Sequence, residues 1–144
     1  MAVLLFLWAV SQFSGCSITE TPPAVLNRFE TQFPEARNEA WSQVDGQWQV
    51  WYKILGRSYT TFFDTRGHAY RTQEETTYVD LPDSIMEKFD EQYDDGDIKT
   101  VYKVQLGDTT VFEVLLKEAA GNMVLRYGLD GRLLEKRRVL DKGK

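Results

Sequence analysis

The side chains of this 144-residue chain whose type and spacing could do chemistry are one histidine, one run of carboxylates and one cysteine. His68 is the only histidine and follows Arg66-Gly67 at a turn, so neither a metal site built from paired histidines nor an activated nucleophile is indicated. Calcium prefers carboxylate ligands, and five acidic residues fall close together: Asp90, Glu91, Asp94, Asp95 and Asp97. Their spacing does not match a calcium loop, because Tyr93 stands where Asp or Asn is needed. We therefore predict no catalytic residue, no metal, no cofactor and a surface position for His68.

The remaining reactive side chain is Cys16, the only cysteine. It follows an unbroken apolar run from Ala2 to Val10, which is shorter than the roughly 20 residues of a membrane span but typical of a signal peptide. The segment Phe13-Ser14-Gly15-Cys16 resembles the lipobox of bacterial lipoproteins, which implies lipidation of Cys16, a signal peptide at 1–16 and a tether at 17–21. Two alternatives stay open: a secretory signal that ends elsewhere, or an apolar N-terminal helix with a buried cysteine.

The charge of the chain limits its partners. The formal net charge is −5 and the isoelectric point is near 4.9, which argues against nucleic acid as a partner. Basic residues gather near the end, where Lys136, Arg137 and Arg138 precede a basic tail at 142–144. We interpret them as charges that keep an edge strand soluble, with attraction to anionic lipid as an alternative. No phosphate-binding loop and no hydrolase motif occurs.

The elements of the chain are predicted from a repeat. The segment that begins at Thr21, TPPAVLNRFETQF, has a second copy 60 residues later, LPDSIMEKFDEQY. In each copy the apolar residues fall on one helical face: Val25, Leu26, Phe29 and Phe33, then Ile85, Met86, Phe89 and Tyr93. Proline is tolerated in a first helical turn. Each copy therefore predicts an amphipathic helix.

Strands are predicted after each helix, since alternating apolar residues are cut by glycine turns such as Asp45-Gly46 and Asp130-Gly131. The predicted strands are 38–44, 48–55, 58–64 and 68–76, then 98–106, 110–117, 123–128 and 133–139. The second copy is four residues longer, and we place that gain in the loop at 117–122. The predicted fold is α+β: two tandem repeats, 22–80 and 81–141, each with one helix packed on a four-stranded antiparallel sheet.

Alternation also separates the two sheet faces. Trp48, Val50, Tyr52 and Ile54 are predicted to meet the helix. The other face would carry Trp51, Lys53 and Phe62 from the first copy, with Val111, Leu115, Val124 and Arg126 from the second. Exposed aromatic residues beside Lys or Arg are typical of binding hot spots, so Trp51, Lys53, Phe62, Val124 and Arg126 are our candidate partner-binding residues. The alternative is that this face packs against the other repeat, with Trp51 inside that interface.

A series of positions also resembles a known family: Pro22 and Phe29, then Phe33-Pro34-Glu35-Ala36, Trp41, the segment Phe63–Gly67, and the second copy from Leu81-Pro82. Together they are similar to the PepSY-like, beta-lactamase-inhibitor-like proteins, which are secreted or lipid-anchored proteins of Bacteroidetes. The resemblance implies tandem modules of one helix and a four-stranded antiparallel sheet, with no known enzymatic activity. Inhibitors of similar shape grip an enzyme with the open side of the sheet.

These observations predict a non-catalytic lipoprotein of the periplasm or cell envelope, anchored to a membrane through Cys16. It would bind an unidentified protein or peptide through its sheet faces, in an inhibitor-like manner. The alternative function is a small-ligand-binding periplasmic lipoprotein with an aromatic pocket between the repeats.

Overall fold

The structure, a computed structural model, describes residues 20 to 139. The predicted signal peptide (1–16), the lipid site at Cys16, most of the tether (17–21) and the basic tail (142–144) lie outside the described residues.

The described elements follow the predicted order of helix, four strands, helix, four strands. The first half consists of α1 (Pro23–Gln32), β1 (Arg37–Val44), β2 (Gln47–Ile54), β3 (Arg57–Phe63) and β4 (Ala69–Thr76). The second half consists of α2 (Asp83–Asp90), β5 (Ile98–Leu106), β6 (Thr109–Glu118), β7 (Gly121–Gly128) and β8 (Leu133–Val139). Short 3-10 turns at Tyr78–Asp80 and Asp95–Asp97 flank α2.

The predicted fold class, two repeats that each have a helix on a separate four-stranded sheet, is wrong. The strands form one eight-stranded antiparallel sheet in the order β1 to β8, and the two halves are joined by β4 and β5. Thr72 lies opposite Gln105 and Thr76 opposite Val101 in that junction. In two separate sheets, β4 and β5 would both be edges with unpaired backbone N–H and C=O groups. Pairing them satisfies these groups and removes two edges.

Both helices pack on the same side of this sheet. Residues directly opposite on neighbouring strands share a face, and one such row runs from Tyr52 through Tyr59, Glu74 and Lys103 to Phe112 and Tyr127. Tyr52 belongs to the core under α1, whereas Phe112 and Tyr127 belong to the core under α2. Neither helix is long and apolar enough to cross a membrane within residues 20–139.

The helical stripes pack as predicted. Phe29 of α1 and Phe89 of α2 are fully buried, and each lies on a core of strand residues that alternate along the chain. The predicted inward set of β2 is confirmed, since Trp48, Val50 and Tyr52 are buried and Ile54 packs against them. Each helix begins after a proline without a side-chain cap, so burial of the apolar stripe is the main stabilising contribution.

The four-residue gain lies elsewhere than predicted. The pairs Trp48–Phe63 and Phe112–Tyr127 enclose the same number of residues, so the hairpin that contains the loop at 117–122 has no insertion. The difference falls in the preceding hairpin, where Trp48 faces Gln43 but Phe112 faces Lys103. A longer β5–β6 hairpin accommodates the extra residues inside the ladder, where their backbone groups are paired.

Candidate partner-binding face

The side of the sheet opposite the helices, the open face, carries the predicted binding residues. Side chains alternate along a strand, and Trp48, Val50 and Tyr52 point to the helices. The intervening residues of β2, Gln49, Trp51 and Lys53, therefore lie on the open face. Cross-strand partners extend this face through Thr60 and Phe62, then Arg71 and Gln73, and finally Glu113 and Arg126.

Trp51 lies uncovered on the open face. Its cross-strand neighbours are Ala40 and Thr60, which are too small to cover an indole ring. The residue is 43% exposed, and Lys53, two positions along the same strand, is exposed as well. Because the halves meet along strand edges rather than face to face, the other half does not bury Trp51. The alternative of an internal interface at Trp51 is therefore wrong.

Phe62 lies on the same face and is half-buried. The guanidinium carbon of Arg71 lies 5.9 Å from the centre of its ring, within the range of a cation–π contact. The ring of Tyr70 packs beside it at 6.3 Å between centroids, and the Tyr70 hydroxyl donates a hydrogen bond to Gln47 at 2.9 Å. Tyr70 is 41% exposed, so this end of the open face also presents aromatic surface.

A network of ion pairs crosses the middle of the open face. Glu113 of β6 is buried and accepts hydrogen bonds from Arg71 of β4 and from Arg126 of β7, the latter at 2.7 Å. Arg126 also lies 2.7 Å from Glu135 of β8. Burial raises the pKa of Glu113, but the hydrogen bonds from Arg71 and Arg126 outweigh burial, and the pKa of this carboxyl is lowered from its ordinary value.

The network separates the five predicted residues into two groups. Trp51, Lys53 and Phe62 lie on β2 and β3, whereas Val124 and Arg126 lie on β7. Neighbouring strands are roughly 4.8 Å apart, so five strand spacings put about 24 Å between β2 and β7. Arg126 is held by two carboxylates, and Val124 is half-buried. The sequence analysis missed Glu113, although a carboxylate inside the apolar run VFEVLL indicates a paired buried charge.

A groove lies on the open face beside Trp51. It has a volume of about 310 Å³ and reaches from β2 across β3 and β4 to β5, so it crosses the junction of the halves. Its lining includes Trp51, Lys53, Ser58, Gln73, Glu75 and Tyr102. Tyr102 was not predicted as a site residue. Its phenol is half-buried, and burial, with Glu75 as a further cause, raises its pKa, so the hydroxyl keeps its proton at neutral pH.

Within residues 20–139 no group of His, Cys, Asp or Glu is arranged to hold a metal ion. His68 is exposed at its turn, 3.6 Å from Asp64, as predicted for a surface residue. Asp94 accepts a hydrogen bond from the backbone of Gly96, so it stabilises a turn. Buried Tyr52 donates to or accepts from Thr61 at 2.9 Å, and burial raises its pKa to about 12. A hydroxyl held in this way is a poor nucleophile.

Residues 20–139 form a single antiparallel sheet with two helices on one side and an open second side, which is an α+β architecture. Neither a scan of protein-family models nor a search of curated proteins finds a match to the chain.

Solved structures of Bacteroides proteins are similar to it. A BLIP-like protein from Bacteroides fragilis is 20% identical with a TM-score of 0.74, over 88% of this chain and 94% of that one. A DUF2874 family protein from Bacteroides ovatus is 24% identical with a TM-score of 0.74, over 85% and 91%. A Bacteroides eggerthii protein, named as a proposed periplasmic protein, is 17% identical with a TM-score of 0.76, over 83% and 89%.

These comparisons establish the fold. The chain has the fold of the BLIP-like and DUF2874 structures, and the predicted resemblance to beta-lactamase-inhibitor-like proteins is confirmed at that level. The PepSY likeness and the tandem repetition stay predictions.

Proposed function

We propose that this chain is a non-catalytic binding protein of the cell envelope that recognises a protein or peptide through the open face of its sheet. The observation that carries the proposal is Trp51, which is 43% exposed on the sheet face that neither α1 nor α2 covers. Tryptophan and tyrosine are enriched among the residues that carry most of the binding energy of protein interfaces. Lys53 and Phe62 share the open face with Trp51, and Tyr70 packs beside Phe62, so the face has the mixed aromatic and charged surface of such sites.

The mode of action follows from the chemistry of the face. Glu113 is ion-paired on both sides, and its lowered pKa keeps it ionised at neutral pH, so it is unsuited to donate a proton. A face of this kind acts by covering a surface of its partner. This is inhibitor-like behaviour, and the BLIP-like structure shares the fold.

The envelope location is part of the proposal. It is supported by the apolar run from Ala2 to Val10, by the lipobox-like segment that ends at Cys16, and by the similar fold of a protein named as a proposed periplasmic protein. Bacteria that express the chain are grown in medium that contains a labelled fatty acid. The protein should become labelled, and Cys16→Ala should abolish the label. Equal labelling of both proteins would exclude Cys16 as the lipid site.

The partner is tested by crosslinking capture from an envelope extract. The unaltered chain should capture one protein, and Trp51→Ala/Phe62→Ala should lose it while circular dichroism shows a folded chain. The matched control is Val79→Ala/Leu129→Ala, which removes two exposed apolar residues outside the strands and should capture normally. Identical capture by all three proteins would overturn the proposal.

A second candidate function is supported by the groove beside Trp51. The alternative predicted from the sequence was a small-ligand pocket between the two repeats. The groove crosses the β4–β5 junction, has four aromatic residues in its lining, and at about 310 Å³ lies at the lower end of the volumes typical of small-ligand sites. A ligand in the groove should quench the fluorescence of Trp51, and Trp51→Phe should abolish that part of the signal.

A further inference from the structure

The groove beside Trp51 exists because small side chains lie between large ones. Ser58 and Thr60 of β3 lie between β2, which carries Trp51, and the strands that lead to Tyr102 on β5. Three strand spacings separate β2 from β5, or roughly 14 Å. Trp51 and Tyr102 therefore form two aromatic walls, and the floor between them includes the short side chains of Ser58 and Thr60 beside Gln73 and Glu75 of β4.

The backbone of the floor is not available to a ligand. β3 and β4 are interior strands, and each is paired on both sides along the groove. An extended peptide that adds to a sheet needs free backbone donors and acceptors at a strand edge. The groove offers side chains instead: the hydroxyls of Ser58 and Tyr102, the amide of Gln73 and the carboxylate of Glu75.

The charges of the groove cancel. Lys53 and Glu75 are its ionisable residues of opposite sign, and they belong to one row across the sheet, since Lys53 lies opposite Ser58 and Glu75 opposite Tyr102. A phosphate or a carboxylate ligand would meet one ammonium group and, two strands away, one carboxylate. A neutral ligand meets no such penalty.

Gln73 is oriented by its neighbour. Its side-chain oxygen accepts hydrogen bonds from Arg71 Nε at 3.2 Å and Arg71 Nη2 at 2.8 Å. Because Arg71 occupies that oxygen, the side-chain NH2 of Gln73 is the group that can bind a ligand, and it is a donor. Arg71 is itself held by Glu113, so the ion-pair network fixes this side of the groove before any ligand binds.

We propose that the groove binds a short neutral oligosaccharide, with the flat apolar side of one sugar ring stacked on Trp51 and its hydroxyls paired with Gln73, Glu75 and Tyr102. Each sugar hydroxyl donates and accepts, which matches a lining that contains both donors and acceptors. The inference rests on the second candidate function, since it names the ligand class of that pocket.

The experiment is titration calorimetry of the purified full chain with cellohexaose, maltohexaose and chitohexaose, and with an oligogalacturonate as the acidic comparison. At least one neutral oligosaccharide should bind, and the acidic one should bind more weakly. Trp51→Ala should weaken binding about tenfold, which corresponds to the loss of one aromatic contact. The matched control is Leu129→Ala, which removes an exposed apolar residue outside the groove and should leave binding unchanged.

Ser58→Leu supplies a second test, because it fills the floor of the groove and leaves Trp51 in place. It should also weaken binding. The inference is overturned if no neutral oligosaccharide binds, or if Trp51→Ala and Ser58→Leu both bind normally. A charged or apolar compound that quenches Trp51 while the sugars fail would overturn the sugar assignment and leave the second candidate function standing.

Discussion

Arg71 on β4 forms an ion pair with Glu113 on β6 that passes over the intervening strand β5. One of its hydrogen bonds, from Arg71 Nη1 to Glu113 Oε1, measures 3.3 Å. The path between the two residues crosses Val104 of β5, which is fully buried although it lies on the open face. The pair therefore covers an apolar residue and connects the two halves of the sheet beyond their backbone pairing.

Removal of this ion pair should destabilise the chain. Glu113→Ala leaves Arg71 and Arg126 half-buried without their shared carboxylate, and the expected loss is about 3 kcal/mol in the free energy of unfolding, measured with denaturant. The matched control is Glu118→Ala, which breaks a contact of 3.8 Å with the exposed Arg138 and should cost less than about 1 kcal/mol. Similar small losses in both variants would contradict a stabilising role for the network.

The same residue should make stability depend on pH. The pKa of Glu113 is lowered in the folded chain, so its contribution is complete above the unfolded pKa of about 4.3 and is lost as the pH falls through the folded pKa. The unfolding free energy of the unaltered chain should fall more steeply below about pH 4 than that of Glu113→Gln. Asp64 and Asp80 also have lowered pKa values, but they titrate in both proteins and cancel in the difference. Parallel pH profiles would refute this assignment.

One continuous sheet predicts one cooperative unfolding transition. Phe29→Ala and Phe89→Ala each open a cavity under a different helix and should each cost about 3–5 kcal/mol. Because β4 and β5 couple the halves, both variants should shift the same single transition in calorimetry. If each variant instead lowered one of two separate transitions, the halves would be independent units.

Gly131 holds the β7–β8 turn against the start of α2. Its φ is +83°, and a Cβ added there would lie 2.8 Å from the carbonyl carbon of Ser84. Gly56 has a similar φ of +79° but faces open space. Gly56→Ala should therefore cost only the backbone strain, about 1 kcal/mol, and Gly131→Ala clearly more, as measured by thermal unfolding. Equal losses would show that the turn is not packed against α2.

Local patterns in the sequence predicted the local structure well. The spacing of Phe29 and Phe89 gave the helical faces, and the alternation around Val50 gave the buried side of β2, because each pattern depends on residues a few positions apart. The pairing of β4 with β5 was not predictable in this way. Thr72 and Gln105 are ordinary polar strand residues, and no local signal tells such a strand which distant edge it joins.

The candidate site also divides into residues that local sequence patterns predicted and residues that they did not. Trp51 and Phe62 were assigned to the open face from alternation alone. Tyr102 and Glu75 were missed because the groove they share with Trp51 depends on the joining of the two halves. Glu113 carried a local signal, a carboxylate in an apolar strand, but its partner Arg71 lies 42 positions earlier in the chain.

The strand order has a further consequence for how the chain folds. Every strand within residues 20–139 pairs only with its neighbours in sequence. Tight turns close all these pairings except β4 with β5, whose connection spans residues 77 to 97. The entropy lost in closing a loop grows with its length. The hairpins should therefore form first and the β4–β5 junction last, so that it governs the refolding rate. Stopped-flow refolding of Val101→Ala should be slowed in proportion to its lost stability, whereas Trp41→Ala in the edge strand β1 should mainly accelerate unfolding.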